Sequence, residues 1–405
     1  MAKKTGRNKA PGGGFGGKKA VKPAAGGKAM PDAVEMQRDS ERMMRALQQA
    51  VSSRDFQSEE EMTRFLDDNL TGRPIDEIIA YLETEPQDDL ERATRMMDEL
   101  PKGVSPSEVR RIAQAALAIS PDCLDAWMAL CLVEDDFGLA LESCEQGIER
   151  GRKRFADLIG SVDASSDLWV WIEARALLRL LLQRAGILDA LGRYGEALAT
   201  YQEIIRLNPN DNQGARGPML RLLLLDRRLD EARDLLERRP DDTLLDFVYG
   251  RAFLAIVEAI EASGFTFPEK DASGAVPTPE ATFESLGPEF NVAKQALNRA
   301  LEVNHHVPMM ILQRQLMRVE PPQKIVPGGP FEALCYAQEW GALWYFGVLP
   351  ILMLTHAFGS YSGTLLQQEH FPELQEVMDR LAAQDGPPWW SSHDGGGGLR
   401  HGANH

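Results

Sequence analysis

A recurrence constrains this chain more than any other feature. The run Leu191-Gly192-Arg193-Tyr194-Gly195-Glu196-Ala197-Leu198 is echoed by Leu225-Asp226-Arg227-Arg228-Leu229-Asp230-Glu231-Ala232, with Ala232 standing 35 residues after Ala197. In each copy an arginine precedes a glutamate by three positions and a small alanine follows at once. Behind the first copy, Tyr201 and Ile204 continue an apolar face at helical spacing, and Asn208-Pro209 ends it. A period of this size holds two helices and a turn. One such pair cannot cover its own apolar faces, so the copies must stack on neighbours.

The rest of the chain reads as further helices. Met43, Met44, Leu47 and Val51 form one stripe at helical period. Ser58 with Glu61 three residues on is a capping box, opening a helix expected to bury Met62, Phe65, Leu66 and Leu70. Arg73-Pro74 opens another, with Ile75, Ile78, Ile79 and Leu82 expected inside. At Ser105-Pro106, followed by Glu108, cap, first helical residue and back-reaching acid are all present. Ala113, Ala116 and Ser120-Pro121 close a helix of the second-in-pair type, and Trp127 sits where the next pair needs a large apolar residue. Ala140, Cys144 and Gly147 supply a weaker partner. Phe247–Ile260 and Val292–Val303 form a pair separated by a Gly/Pro-rich insertion near 265–288.

The turn, alanine and terminal Asn-Pro at 191–209 match the second half of a tetratricopeptide repeat, whose period is about 34 residues. A second likeness lies in Ala296-Leu297-Asn298-Arg299-Ala300-Leu301-Glu302-Val303-Asn304-His305-His306-Val307-Pro308, with Pro321-Pro322, Gly328-Gly329, Glu332-Ala333, Tyr336-Ala337 and Trp340. Together with Ala118–Ala126 and Arg206–Gly214, over roughly residues 105–345, it resembles bacterial-type tetratricopeptide-repeat proteins akin to the suppressor of tumorigenicity 7 family. His305 departs from the proline usual there. The resemblance implies a protein-interaction scaffold and carries over no catalytic residues.

The expected fold is therefore all-α, a tetratricopeptide-repeat-like α-solenoid with disordered N- and C-terminal tails. The layout is a basic Gly-rich tail (1–31), an N-terminal helical region (32–104), the repeat array (105–304), a C-terminal helical region (305–384) and a Gly/His tail (385–405). Residues 1–30 hold eight Lys/Arg and no acid, so the total charge of −17 leaves −25 on residues 31–405. The body should repel nucleic acid; only the tail could hold a polyanion. No apolar segment follows the basic start, so no secretory signal is read and the cytoplasm is the expected compartment. The most apolar segment, 344–354, holds Gly347 and Pro350 and falls well short of the roughly 20 residues a spanning helix needs. It reads as a buried terminal helix broken at Pro350, so no membrane partner is expected. Four cysteines exclude a disulfide scaffold.

No constellation points to catalysis, metal or cofactor. Gly12–Lys18 satisfies phosphate-loop letters but lacks the strand and helix that would converge amides on phosphate. His305-His306 have no Cys, Asp or Glu at i+3 or i+4, and His393, His401 and His405 lie in or beside a Gly tract. Trp389-Trp390 is expected to cap the end of the array. Placing Ala197 and Pro209 in repeat register puts Arg179, Gln183, Gln213 and Arg216 on the inner, partner-facing side, where arginines and amides could grip a peptide segment of a partner protein. The reading is a non-enzymatic scaffold with a concave groove. Its alternative is an RNA- or ribosome-associated factor tethered by residues 1–30.

Overall fold

The computed structural model describes residues 32–83, 86, 88–101, 103–162, 167–264, 286–322, 324–345, 347–365, 376, 377, 379 and 380. Among them every regular element is a helix. The Gly-rich start, most of the insertion, Trp389-Trp390 and the terminal histidines lie outside the described residues. The chain separates into two compact units, Met1–Gln213 and Gly214–His405.

The first unit runs α1 (Asp32–Ser52), α2 (Glu59–Leu70), α3 (Ile75–Leu82), α4 (Asp89–Asp98), α5 (Pro106–Ile119), α6 (Leu124–Val133), α7 (Phe137–Arg154), α8 (Ala156–Ser161), α9 (Arg175–Ala190) and α10 (Tyr194–Leu207). Side-chain caps start four of them. Ser58 accepts from the Glu61 amide, Asp88 from that of Glu91, Ser105 from that of Glu108, and Asp136 from those of Gly138 and Leu139. From α4 onward, α5, α6, α7, α9 and α10 each pack on the one before. In addition α6 touches both α4 and α9. These three therefore make one inner layer, while α5, α7 and α10 make the other. The layers approach closely at Gly147 and Gly151 of α7. A Cβ on Gly147 would lie 2.8 Å from Trp127 Cβ and Leu180 Cδ1, and one on Gly151 would lie 2.9 Å from Leu177 Cδ1. Trp127 is fixed by donating its indole N–H to the Pro121 carbonyl at 2.9 Å.

The second unit holds α11 (Arg216–Leu225), α12 (Leu229–Glu237), α13 (Leu245–Ser263), α14 (Asn291–Val303), α15 (Val307–Leu312), α16 (Pro330–Trp344) and α17 (Val348–Leu365). α13 packs along α14, the expected pair across the insertion, and also meets α11, α12, α16 and α17. An aromatic cluster sits where α13 meets α16. Tyr336 stacks on Trp340 with ring centroids 5.4 Å apart, and Trp344 stands edge-on to Phe253 at 5.4 Å and Tyr249 at 6.1 Å. Fully buried Asn304 ends α14 without a proline. Its amide bonds the Gly329 carbonyl and Glu332 at 3.0 Å each, and its side-chain carbonyl accepts the His306 N–H.

The repeated sequence makes the same turn twice. Gly192 takes φ 72° before α10, and Arg227 takes φ 59° before α12. Arg193 N–H then donates to Leu188 O at 2.8 Å, as Arg228 N–H does to Leu223 O at 2.9 Å. Each arginine also grips the glutamate three residues on, Glu196 or Glu231, through two bonds. A left-handed non-glycine residue costs about 1–2 kcal/mol. Arg227→Gly should therefore raise the stability of the second unit by up to about 1 kcal/mol after glycine's larger unfolded-state entropy is subtracted. The exposed Arg227–Glu261 pair it removes contributes little. An unchanged or lowered denaturant midpoint would contradict this.

Three local expectations are corrected. Met62, Phe65, Leu66 and Leu70 of α2 are half-buried, and α2 buries no residue completely. Ile75 is exposed, because α3 turns only Ile79 and Leu82 fully inward. Pro350 does not break a helix. It sits in the first turn of α17, where its missing N–H would have had no intrahelical partner.

Candidate functional site

The inner layer of the first unit is not bare: α1 lies against it. Helix α1 packs its small residues Ala46 and Ala50 against Leu82 of α3, with Leu47, Phe65, Leu70 and Ile78 around them. This leaves a charged face, carrying Glu41, Arg42 and Arg45, toward α4 and α9. Glu41 and Arg45 are four residues apart and so share one side of the helix.

Arg179 of α9 is where these elements converge. Its Nη1 donates to both Glu41 oxygens at 2.6 and 2.7 Å, and its Nη2 donates to Asp125 of α6 at 2.8 Å. Glu41 keeps only 2% of its surface exposed. Burial works against the Arg179 charge, but Asp125 and Glu41 outweigh it and hold the guanidinium protonated beyond its ordinary range. One turn along α1, Arg45 Nη2 reaches Asp98 of α4 at 2.5 Å. Arg42 bonds Glu83 at 2.5 Å and approaches Glu99 at 3.5 Å. Beside α1 a cavity of about 400 Å3 remains, its wall including Glu91, Arg95, Arg154 and Glu173. α1 fills the trough incompletely, and polar groups line what is left.

The Arg45–Asp98 pair is uneven. Arg45 collects attraction from Asp98, Asp125 and Glu41, which outweighs its burial and holds its charge. Burial pushes the Asp98 carboxyl up to about 6, with Asp125 adding to the shift while Arg45 and Arg42 oppose it. A carboxyl whose folded pKa exceeds its unfolded value stabilises the fold fully below the unfolded pKa, and that contribution is lost as pH rises through the folded pKa. Between pH 4 and 7 the wild-type first unit should thus lose about 2 kcal/mol relative to Asp98→Asn. Denaturant unfolding of both proteins across that range checks it; parallel curves would contradict it.

The four residues expected to line the groove are placed as follows. Arg179 and Gln183 lie four apart on α9, so they share the inner layer; Gln183 is half-buried. The Arg179 guanidinium is engaged by Glu41 and Asp125 rather than offered to solvent. Half-buried Gln213 follows α10 at the end of the first unit. Arg216 begins α11 in the second unit, pairing with Asp242 at 3.2 Å and lying 5.4 Å over the Phe247 ring. Sequence reasoning passed over Glu41, Arg45, Asp98 and Asp125. The one local signal is the Glu41/Arg45 spacing, on a helix whose plainest feature is its methionine stripe.

His305 and His306 lie with ring centroids 4.2 Å apart, and burial lowers His306 to about 4, with His305 adding. No group of three or more His, Cys, Asp or Glu among the described residues could hold a metal ion. No described helix is long and apolar enough to cross a membrane.

Compared with known families, residues 190–255 match the tetratricopeptide repeat model. That stretch contains both copies of the turn, at Gly192 and Arg227. No curated protein and no solved structure matches the chain.

Proposed function

We propose that this protein is a non-enzymatic interaction scaffold whose inner layer, α4, α6 and α9, receives a peptide segment of a partner protein. The observation that carries the reading is the inner layer itself. It presents buried, preoriented charge of both signs, and it already holds a helix by side-chain ion pairs rather than by a continuous apolar seam. Preformed charge of this kind gives orientation and partner choice more than raw affinity. The likeness over residues 105–345 to proteins akin to the suppressor of tumorigenicity 7 family supports the same reading. The match to the tetratricopeptide repeat adds to it, since stacked helical pairs of this kind create extended binding surfaces.

Site-specific photo-crosslinking in cells tests the proposal. A photoreactive residue at Gln183 on the inner layer should yield a discrete adduct with one partner. The same group at Gln202, on the exposed side of α10, should not. Adducts from Gln202 alone would move binding off the inner layer.

A further inference from the structure

We infer that α1 is a resident, displaceable ligand of the inner layer, and that the partner is a helix presenting a carboxylate and a cationic side chain four residues apart, as Glu41 and Arg45 do. The inference rests on the scaffold reading and adds the chemistry of the partner.

Two groups of contacts act on α1, and they differ in kind. Toward α3 the contact is apolar, through Ala46, Ala50 and Leu82, and is reinforced by the Arg42–Glu83 bonds. Toward the inner layer its polar contacts are Glu41 with Arg179, Arg45 with Asp98, and Arg42 near Glu99, with Met44 against Arg175. The first group ties α1 to α2 and α3. Among the described residues the second group, with the packing of α1 on Ile172–Ala174 and of Met44 on Arg175, is what must break for the three to leave the face together. Its pairs are short and largely enclosed, Glu41 being 2% and Asp98 8% exposed, with the cavity of about 400 Å3 alongside them. Buried ion pairs return little beyond what desolvation costs, so a face held this way releases its occupant more readily than an apolar seam does. A competing helix that repeats the acid–cation pair and also places a long polar side chain in the cavity would be the better fit. It would exchange one set of charge partners for an equivalent set, leaving neither Arg179 nor Asp98 buried alone.

The test uses the full chain and a defined probe, a fluorescent peptide of residues 35–52. Binding is followed by polarisation to wild type, to Glu41→Lys and to the milder Arg45→Gln, each checked for retained helicity. Both variants weaken the resident helix and leave Arg179 and Asp98 in place. The inference predicts at least tenfold tighter peptide binding to each folded variant than to wild type, and loss of that gain when the peptide itself carries Glu41→Lys. Equal affinity for all three proteins, or no binding to a folded variant, overturns it. So would a variant that forms a stable dimer and excludes the peptide, which would make a second copy the occupant. If the peptide fails while Gln183 still crosslinks a partner, only this inference falls; if both fail, the scaffold reading falls too.

Discussion

Replacing Arg179 by alanine should cost the first unit about 3 kcal/mol, the low end for removing one member of a buried ionic network. Two carboxylates lose their shared cation at once. Glu41 is almost completely enclosed and Asp125 is half-buried, so neither recovers its hydration while α1 stays docked. The loss is held to the low end because α1 can relieve Glu41 by leaving the face. Adding Glu41→Gln to the Arg179→Ala protein should restore at least a third of the loss, since it removes the stranded charge. Denaturant unfolding of wild type, the single and the double variant reads both effects. An Arg179→Ala protein as stable as wild type would mean that the network holds nothing.

The largest loss in the second unit belongs to Trp344. Its ring is fully buried, stands edge-on to Tyr249 and Phe253, and donates its indole N–H to the Tyr336 hydroxyl at 3.0 Å. Trp344→Ala should cost about 4 kcal/mol by opening a cavity in a close-packed core. It also strips the buried Tyr336 hydroxyl of a donor. Trp344→Phe keeps most of the aromatic contact and should cost roughly half as much. Trp171→Ala, at a residue 49% exposed, should change stability by less than about 1 kcal/mol. Calorimetry of the three variants orders these effects, and a Trp344→Ala loss no greater than that of Trp171→Ala would contradict the packing account.

What could be read beforehand was whatever depends on short range. Ser58 and Ser105 accept the Glu61 and Glu108 amides as their spacing requires, because both partners lie within one turn. The acids do not reach back to the caps: Glu61 takes the Gln57 N–H and Glu108 the Arg111 guanidinium. The Gly192 and Arg227 turns agree because the residues that fold them repeat at a fixed interval. The α13–α14 pairing was legible from its two apolar faces despite the insertion. The burial of α1 was not. Its Met43, Met44, Leu47 and Val51 are half-buried, and over 39–52 the residues it buries are Glu41, Ala46 and Ala50. Helical period locates a stripe; it does not say which small residue lies closest to a neighbour. The functional face was hidden for a stronger reason. Glu41 and Arg179 are 138 residues apart, and no local pattern announces an ion pair across that distance. The sequence could place Arg179 on an inward-facing helix but not reveal that its own chain had already engaged it.

The role inferred for α1 depends on its lying against α4 and α9. Hydrogen–deuterium exchange across residues 39–52 of the full chain measures this most directly. The account predicts slow exchange there in wild type, and fast exchange in Arg179→Ala while peptides from α5 and α7 remain protected. Equally fast exchange in wild type, with α5 and α7 protected, would show the inner layer already open and contradict the account.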